Sequence, residues 1–129
     1  MEARKTPSQR VGSQGEDIAA DYLEKNDYKI VQRNYRSRRG EIDIICMDES
    51  GAAENNVLVF VEVKSRRVLD YGVPTESVTS EKIGRMRQAA EVYLMLNDLD
   101  EVSCRFDVIG IVFNPKGTHI EHIQDVIDY

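Results

Sequence analysis

The chain has 129 residues, 41% of them hydrophobic and 31% charged, with 17 Lys+Arg against 23 Asp+Glu and a net charge of −6. That length suits one compact domain burying roughly two thirds of the surface its unfolded chain exposes, and it excludes a multidomain enzyme. The longest apolar runs, 57–61 and 108–113, fall far short of the roughly 18 residues a membrane span needs, so no membrane partner is expected.

Residues 1–11 contain Thr6, Pro7 and Ser8 with almost no apolar content, which predicts a disordered arm without the apolar stretch of a secretory signal. A single domain over 12–129 is expected to follow. From Gly12 to about Lys25 the pattern is helical: Ile18, Ala19, Tyr22 and Leu23 share one arc, and Asp17, Asp21 and Glu24 the opposite one. Glu16 breaks this sorting, at the edge of the apolar arc.

Strands are predicted over Tyr28–Tyr35 and Glu41–Met47, the second alternating with Glu41 and Asp43 on one face and Ile42 and Ile44 on the other. A polar connection, 48–56, leads to Val57–Lys64, a near-continuous apolar run of the kind found in a strand buried on both faces. Residues 65–79 read as a long loop, and Thr79 or Ser80 is suited to cap a helix running to about Asn97. Cys104–Phe113 and Thr118–Ile123 are strands about a turn at 114–117. The order is αβββαββ. Cys46 and Cys104, 58 residues apart in apolar patterns, predict free buried thiols in a reducing cytoplasm.

Glu16, Asp43, Glu62 and Lys64 are charged residues at positions where the periodicity predicts burial, which is costly unless they are paired or metal-bound. Asp43 and Glu62 lie on strands joined by a short connection, and adjacent pairing would crowd their carboxylates. Such a pair suits a divalent cation with oxygen ligands, Mg²⁺ or Mn²⁺. Lys64, two residues beyond Glu62, shares its face and is suited to orient a water or stabilise charge on a phosphoryl oxygen. Metal-assisted hydrolysis of a phosphodiester fits this set, while a plain Glu-Lys ion pair explains two of its members.

Charge distribution bears on the partner. Residues 1–39 and 64–87 each carry +3, whereas 40–63 and 88–129 each carry −6. The acidic total argues against nucleic acid, yet two basic blocks on an acidic body form a pattern that a nucleic-acid surface also shows. Arg33, Arg36, Arg38 and Arg39 precede the acidic strand, Arg66 and Arg67 follow Lys64, and Lys82 and Arg85 lie three apart on the second helix. All are candidates for phosphate contacts; solvated charge accounts equally for the first four in the absence of a motif, and pairing with Asp or Glu across the core is the alternative for Lys82 and Arg85. Asp107, in a buried strand, is expected to pair with an interior Arg or Lys; His119 and His122 point to opposite faces and are not expected to share a metal.

The segments Gly15-Glu16, Arg33-Asn34-Tyr35-Arg36, Gly40-Glu41-Ile42-Asp43-Ile44-Ile45, Val59-Phe60-Val61-Glu62-Val63-Lys64-Ser65-Arg66, Gly72-Val73-Pro74 and Arg105-Phe106-Asp107-Val108-Ile109 carry a resemblance. The chain resembles the YraN-like family of bacterial proteins, within the PD-(D/E)xK, restriction-endonuclease-like superfamily, and is similar to archaeal Holliday junction resolvases. The resemblance implies an αβββαβ core with a mixed central sheet flanked by helices. It implies that Asp43, Glu62 and the main-chain carbonyl of Val63 hold Mg²⁺ or Mn²⁺, with Lys64 as catalytic lysine and Glu16 as an additional carboxylate. It also implies a nuclease acting on branched or structured DNA, and a homodimer. The family usually has a glycine before the aromatic after the first helix, where this chain reads Asn26-Asp27-Tyr28, so that turn is expected to differ. The competing expectation is a nuclease-fold binding or assembly module without turnover. A glycosidase is disfavoured: Lys64 has no role in it, and the chain has no Trp to line a sugar cleft.

Overall fold

The computed structural model describes residues 7–51, 56–67, 80–99 and 101–127. Helix α1 (Pro7–Lys25) is followed by strands β1 (Tyr28–Arg36), β2 (Glu41–Asp48) and β3 (Val57–Arg67), helix α2 (Ser80–Leu96) and strands β4 (Cys104–Asn114) and β5 (Gly117–Ile123). The strands form one sheet in the order β1-β2-β3-β4-β5, antiparallel throughout except for the parallel β3–β4 pair that α2 connects. The fold is α/β with a mixed five-stranded sheet and two helices.

Burial on both faces of the sheet explains the apolar runs. On one face Ala19 and Leu23 of α1 pack against Ile44, Cys46, Val59, Val61, Ile109 and Ile111. On the other, Met86, Ala89, Ala90 and Tyr93 of α2 pack against Ile45, Leu58, Phe60 and Phe106. Cys46 is buried and Cys104 half-buried, both free, and burial pushes the Cys46 thiol up to about 12.

Several boundaries differ from the sequence reading. Helix α1 begins at Pro7, so 7–11 are helical, not part of an arm; a proline costs nothing in a first turn, where its missing N–H would have no partner. Residues 1–6 lie outside the described residues. Strand β3 runs on to Arg67 because parallel pairing with β4 continues to Arg67 opposite Phe113, which takes 65–67 out of the expected loop. Residues 68–79, including Thr79 as a cap, fall outside the described residues. In the turn after α1, Asp27 has φ 65°, a left-handed conformation that Asp tolerates and glycine adopts freely.

Strand β2 does not alternate as expected at its start. Ile42 joins the α2-side core and Ile44 the α1-side core, although they are two residues apart. The break coincides with a feature of the neighbouring strand: Asn34, between the partners of Ile44 and Ile42, has φ 54°, whereas the extra β1 residue between Ile30 and Gln32 lies further along, where Ile44, Ile45 and Cys46 still alternate.

Candidate functional site

Strands β2 and β3 pair from Asp48–Val57 to Ile44–Val61 and then part. Asp43 and Glu62 are the first residues beyond that last pair. Freed from the ladder, the Val63 N–H donates to Asp43 Oδ2 at 2.8 Å, so a side-chain carboxylate replaces a strand carbonyl as acceptor. Lys64 Nζ lies 3.1 Å from Glu62 Oε1, both side chains mostly buried. The alternation that placed Glu62 and Lys64 on one face therefore holds.

Glu16 comes to the site through a close helix–sheet contact. A Cβ on Gly15 would collide with Ser65 Oγ and lie 2.8 Å from Ser65 Cβ, so only glycine lets α1 approach β3 there. Burial pushes the Asp43 carboxyl up to about 6; the Val63 hydrogen bond opposes this, the charges of Glu16 and Glu62 add to it, and Lys64 offsets part. Asp43 thus feels all three of the other charged residues singled out in the sequence.

One oxygen of this group is orphaned. Glu62 Oε2 is buried without a hydrogen-bond partner, as is Ser65 Oγ. An unpaired buried acceptor costs about 1–3 kcal/mol, and more when charged, so the Glu62–Lys64 ion pair by itself does not account for the arrangement. Among the described residues, no three His, Cys, Asp or Glu side chains are gathered as a ready metal cage. A cation here would rest on the Asp43 and Glu62 carboxylates with main-chain and water oxygens completing its shell.

Glu62 also faces a cleft of about 530 Å³ between the β1–β2 turn and α2. The turn contributes Arg38 and Arg39, and α2 contributes Lys82, Arg85 and Met86. Ser37 fixes the turn, its Oγ accepting from the N–H groups of Arg39 (3.1 Å) and Gly40 (3.2 Å). A Cβ on Gly40 would stand 2.5 Å from the Arg85 carbonyl oxygen, so the turn rests on the helix backbone.

The basic candidates therefore divide. Arg38, Arg39, Lys82 and Arg85 line the cleft with Glu62, Arg85 also pairing with Glu81 at 3.2 Å. Arg33 instead pairs with Asp17 at 2.7 Å and lies 4.0 Å from Glu16, while Arg36 pairs with Glu41 at 3.7 Å. Arg66 and Arg67 continue β3 and do not line the cleft. Sequence reading missed Ser37, Gly40 and Met86; the run Ser37-Arg38-Arg39-Gly40 carries a turn signal, but its rest on α2 is a tertiary contact.

A second polar cluster lies where β2 ends and β4 begins. Asp107, fully buried, accepts from Arg105 Nε (2.9 Å) and the Asp125 N–H (3.0 Å) on one oxygen. On the other it accepts from Arg105 Nη2 (3.0 Å) and His122 Nε2 (2.8 Å). Arg105 also reaches Asp48 at 3.1 Å and the Tyr28 hydroxyl at 2.7 Å, and Tyr22 bonds His122 Nδ1 at 3.0 Å. Burial opposes ionisation of Asp107, but His122 and Arg105 outweigh it and hold the carboxyl below its usual range. The expected ion pair of Asp107 is thus met by Arg105, and His122 and His119 have different partners, Asp107 and Glu121.

The sequence matches the family described as "Uncharacterised protein family UPF0102" over residues 15–111, a span containing Glu16, Asp43, Glu62, Lys64 and the cleft. A UPF0102 protein of Syntrophus aciditrophicus (strain SB) is 42% identical over 125 residues, covering 97% of this chain and 94% of that protein. Another, from Trichlorobacter lovleyi, is 43% identical over 122 residues, covering 94% and 92%. A third, from Caldanaerobacter subterraneus subsp. tengcongensis, is 36% identical over 125 residues, covering 97% and 98%. The chain belongs to the UPF0102 family, which meets the expectation of a YraN-like protein.

Proposed function

We propose that this UPF0102 protein is a Mg²⁺- or Mn²⁺-dependent nuclease with a restriction-endonuclease-like core of the PD-(D/E)xK kind, hydrolysing phosphodiester bonds in branched or otherwise structured DNA. The observation that carries the reading is the meeting of Asp43, Glu62 and Lys64 where β2 and β3 part, with Glu62 Oε2 buried and unpartnered. The donor set fits a hard divalent cation: carboxylate oxygens of Asp43 and Glu62, with the Val63 carbonyl as the resemblance implies, in a site crowded with negative charge. Such a cation supplies Lewis-acid polarisation of a phosphoryl oxygen.

The chain's own residues supply the rest. Lys64 Nζ, held beside Glu62, donates hydrogen bonds to a developing phosphoryl charge or orients the attacking water. Glu16 sets a further carboxylate near Asp43 from the α1 side of the sheet. Arg38, Arg39, Lys82 and Arg85 offset substrate charge beside Glu62 on a protein whose net charge is −6. A homodimer belongs to the same reading, since cutting two strands suits a symmetric pair of sites.

A nuclease-fold binding or assembly module is the second reading, favoured by the absence of a three-residue metal cage among the described residues. Calorimetric titration with Mn²⁺, followed by gel assays on junction, flap and duplex DNA, separates the two. The nuclease reading expects Mn²⁺ binding and cleavage of at least one substrate. Mn²⁺ binding with no cleavage of any of them selects the module.

A further inference from the structure

We propose that the cleft between the β1–β2 turn and α2 is a phosphate subsite that takes one nucleic-acid strand without help from a metal and leads it to Glu62 and Lys64. For the strand's direction the inference rests on the nuclease reading; its binding step stands apart from it.

Charge comes first. Among the described residues, four cations line the cleft against the carboxylates of Glu41 and Glu62, and Glu81 pairs with Arg85 at 3.2 Å, so the positive excess lies on the Arg38–Arg39 wall. No carboxylate among the described residues pairs with Arg38 or Arg39, and both side chains are exposed at the rim. The backbone of the turn that carries Arg38 and Arg39 is also set before any ligand arrives: Ser37 ties the turn, and Gly40 sits on the Arg85 carbonyl. A preformed cationic wall avoids the ordering cost a mobile loop would incur on binding.

Size and lining then select the ligand. The volume of about 530 Å³ lies in the range of small-ligand pockets, roughly 300–1,000 Å³, and is bounded where Gly40 meets α2. A short stretch of one backbone fits such a space; a duplex, rigid and carrying two backbones, would meet its rim only. Among the described residues that line the cleft, Met86 is the apolar side chain and none is aromatic, so they offer bases no stacking platform. Recognition therefore runs through phosphates and is independent of sequence. Within the nuclease reading, a strand bound here has left its duplex, as at a flap, a frayed end or a branch point.

The test is fluorescence anisotropy in EDTA with a 12-nucleotide mixed-sequence DNA strand, the same sequence as duplex, and its ribonucleotide counterpart. The DNA strand should bind more tightly than the duplex, and the ribonucleotide strand like the DNA strand. With four phosphate contacts the slope of log K against log salt should be about −3, at roughly −0.7 per contact on a single strand. Arg38→Ala/Arg39→Ala should flatten it by about 1.4 and weaken binding roughly tenfold; Lys82→Ala/Arg85→Ala, on the opposite wall, should do the same. Duplex binding as tight as single-strand binding, or wild-type affinity and slope in both double variants, would overturn the proposal. Single-strand binding as expected but no cleavage with Mn²⁺ would retire the nuclease reading and leave the subsite standing. Cleavage that persists at wild-type KM in both double variants would retire the subsite and leave the nuclease reading.

Discussion

Asp107 and Asp43 are both carboxylates set into the same sheet, and their surroundings drive them in opposite directions. Asp107 is the more deeply buried, yet four donors surround it and hold its carboxyl below the usual range. Asp43 is pushed up to about 6 by burial and by two nearby carboxylates, with one backbone donor and Lys64 offsetting only part. Burial alone does not decide the outcome; the supply of positive charge and donors does. The Asp107 cluster is complete without a ligand and ties β2, β4 and the segment after β5 together. The Asp43 site is short of positive charge, which is the condition under which a cation binds.

Breaking the complete cluster should cost the most. Arg105→Ala leaves Asp107 and Asp48 without their main cation and should destabilise the protein by about 3–5 kcal/mol, read from urea unfolding. A loss under 1 kcal/mol would mean that the cluster is dispensable. At the other site, the nuclease reading expects Glu62→Ala and Lys64→Ala each to lower cleavage by roughly 10²–10³-fold, as for a group that stabilises transition-state charge, with the fold retained by circular dichroism. Equal activity in both variants and wild type would remove them from the mechanism.

Asp43→Asn should do what no substitution in the complete cluster can: stabilise the metal-free protein at pH 7, by roughly 1–3 kcal/mol, while abolishing Mn²⁺ binding. The amide oxygen keeps the Val63 hydrogen bond and sheds the charge. Destabilisation by this change would contradict the account of Asp43.

The two regions should also respond oppositely to pH. Asp107 and Asp48 have lowered folded values, so their contribution is full above the ordinary carboxylate value near 3.8 and is lost as pH falls through the folded values. Asp43 has a raised value, so the folded state holds its proton longer than the unfolded chain, and metal-free stability declines as pH rises from about 4 through 6. Unfolding measured from pH 3 to 8 should show that upper decline in wild type and lose it in Asp43→Asn. Gly15→Ala, the smallest of these effects in reach, should cost roughly 1–3 kcal/mol by overpacking α1 on Ser65. Melting within error of wild type would show that the contact yields freely.

Much of the acidic site was legible in the chain, because strand alternation is local. Glu62 and Lys64 share a face two residues apart, and Glu16 stands out on its helix as the misfit in an otherwise sorted pattern. The order of helices and strands along the chain followed from periodicity for the same reason. What the sequence hid was non-local. The rotation of β2 about Asp43 falls opposite a left-handed Asn34 in the neighbouring strand. Arg38 and Arg39 were one run with Arg33 and Arg36 until the fold put a helix beside two of them and carboxylates beside the others. Asp48 looked like the start of a polar connection, and only the approach of Arg105, 57 residues away, makes it part of a buried cluster. Helix α1 starts earlier than its apolar arc because its first turns carry few apolar residues to mark it.

The most direct test of the contrast between the two carboxylates is anomalous diffraction at the manganese edge from crystals soaked in Mn²⁺. The account predicts a peak bound by the carboxylates of Asp43 and Glu62, and none at Asp107. No peak between Asp43 and Glu62 at millimolar Mn²⁺, or a peak at the Asp107 cluster instead, would contradict it.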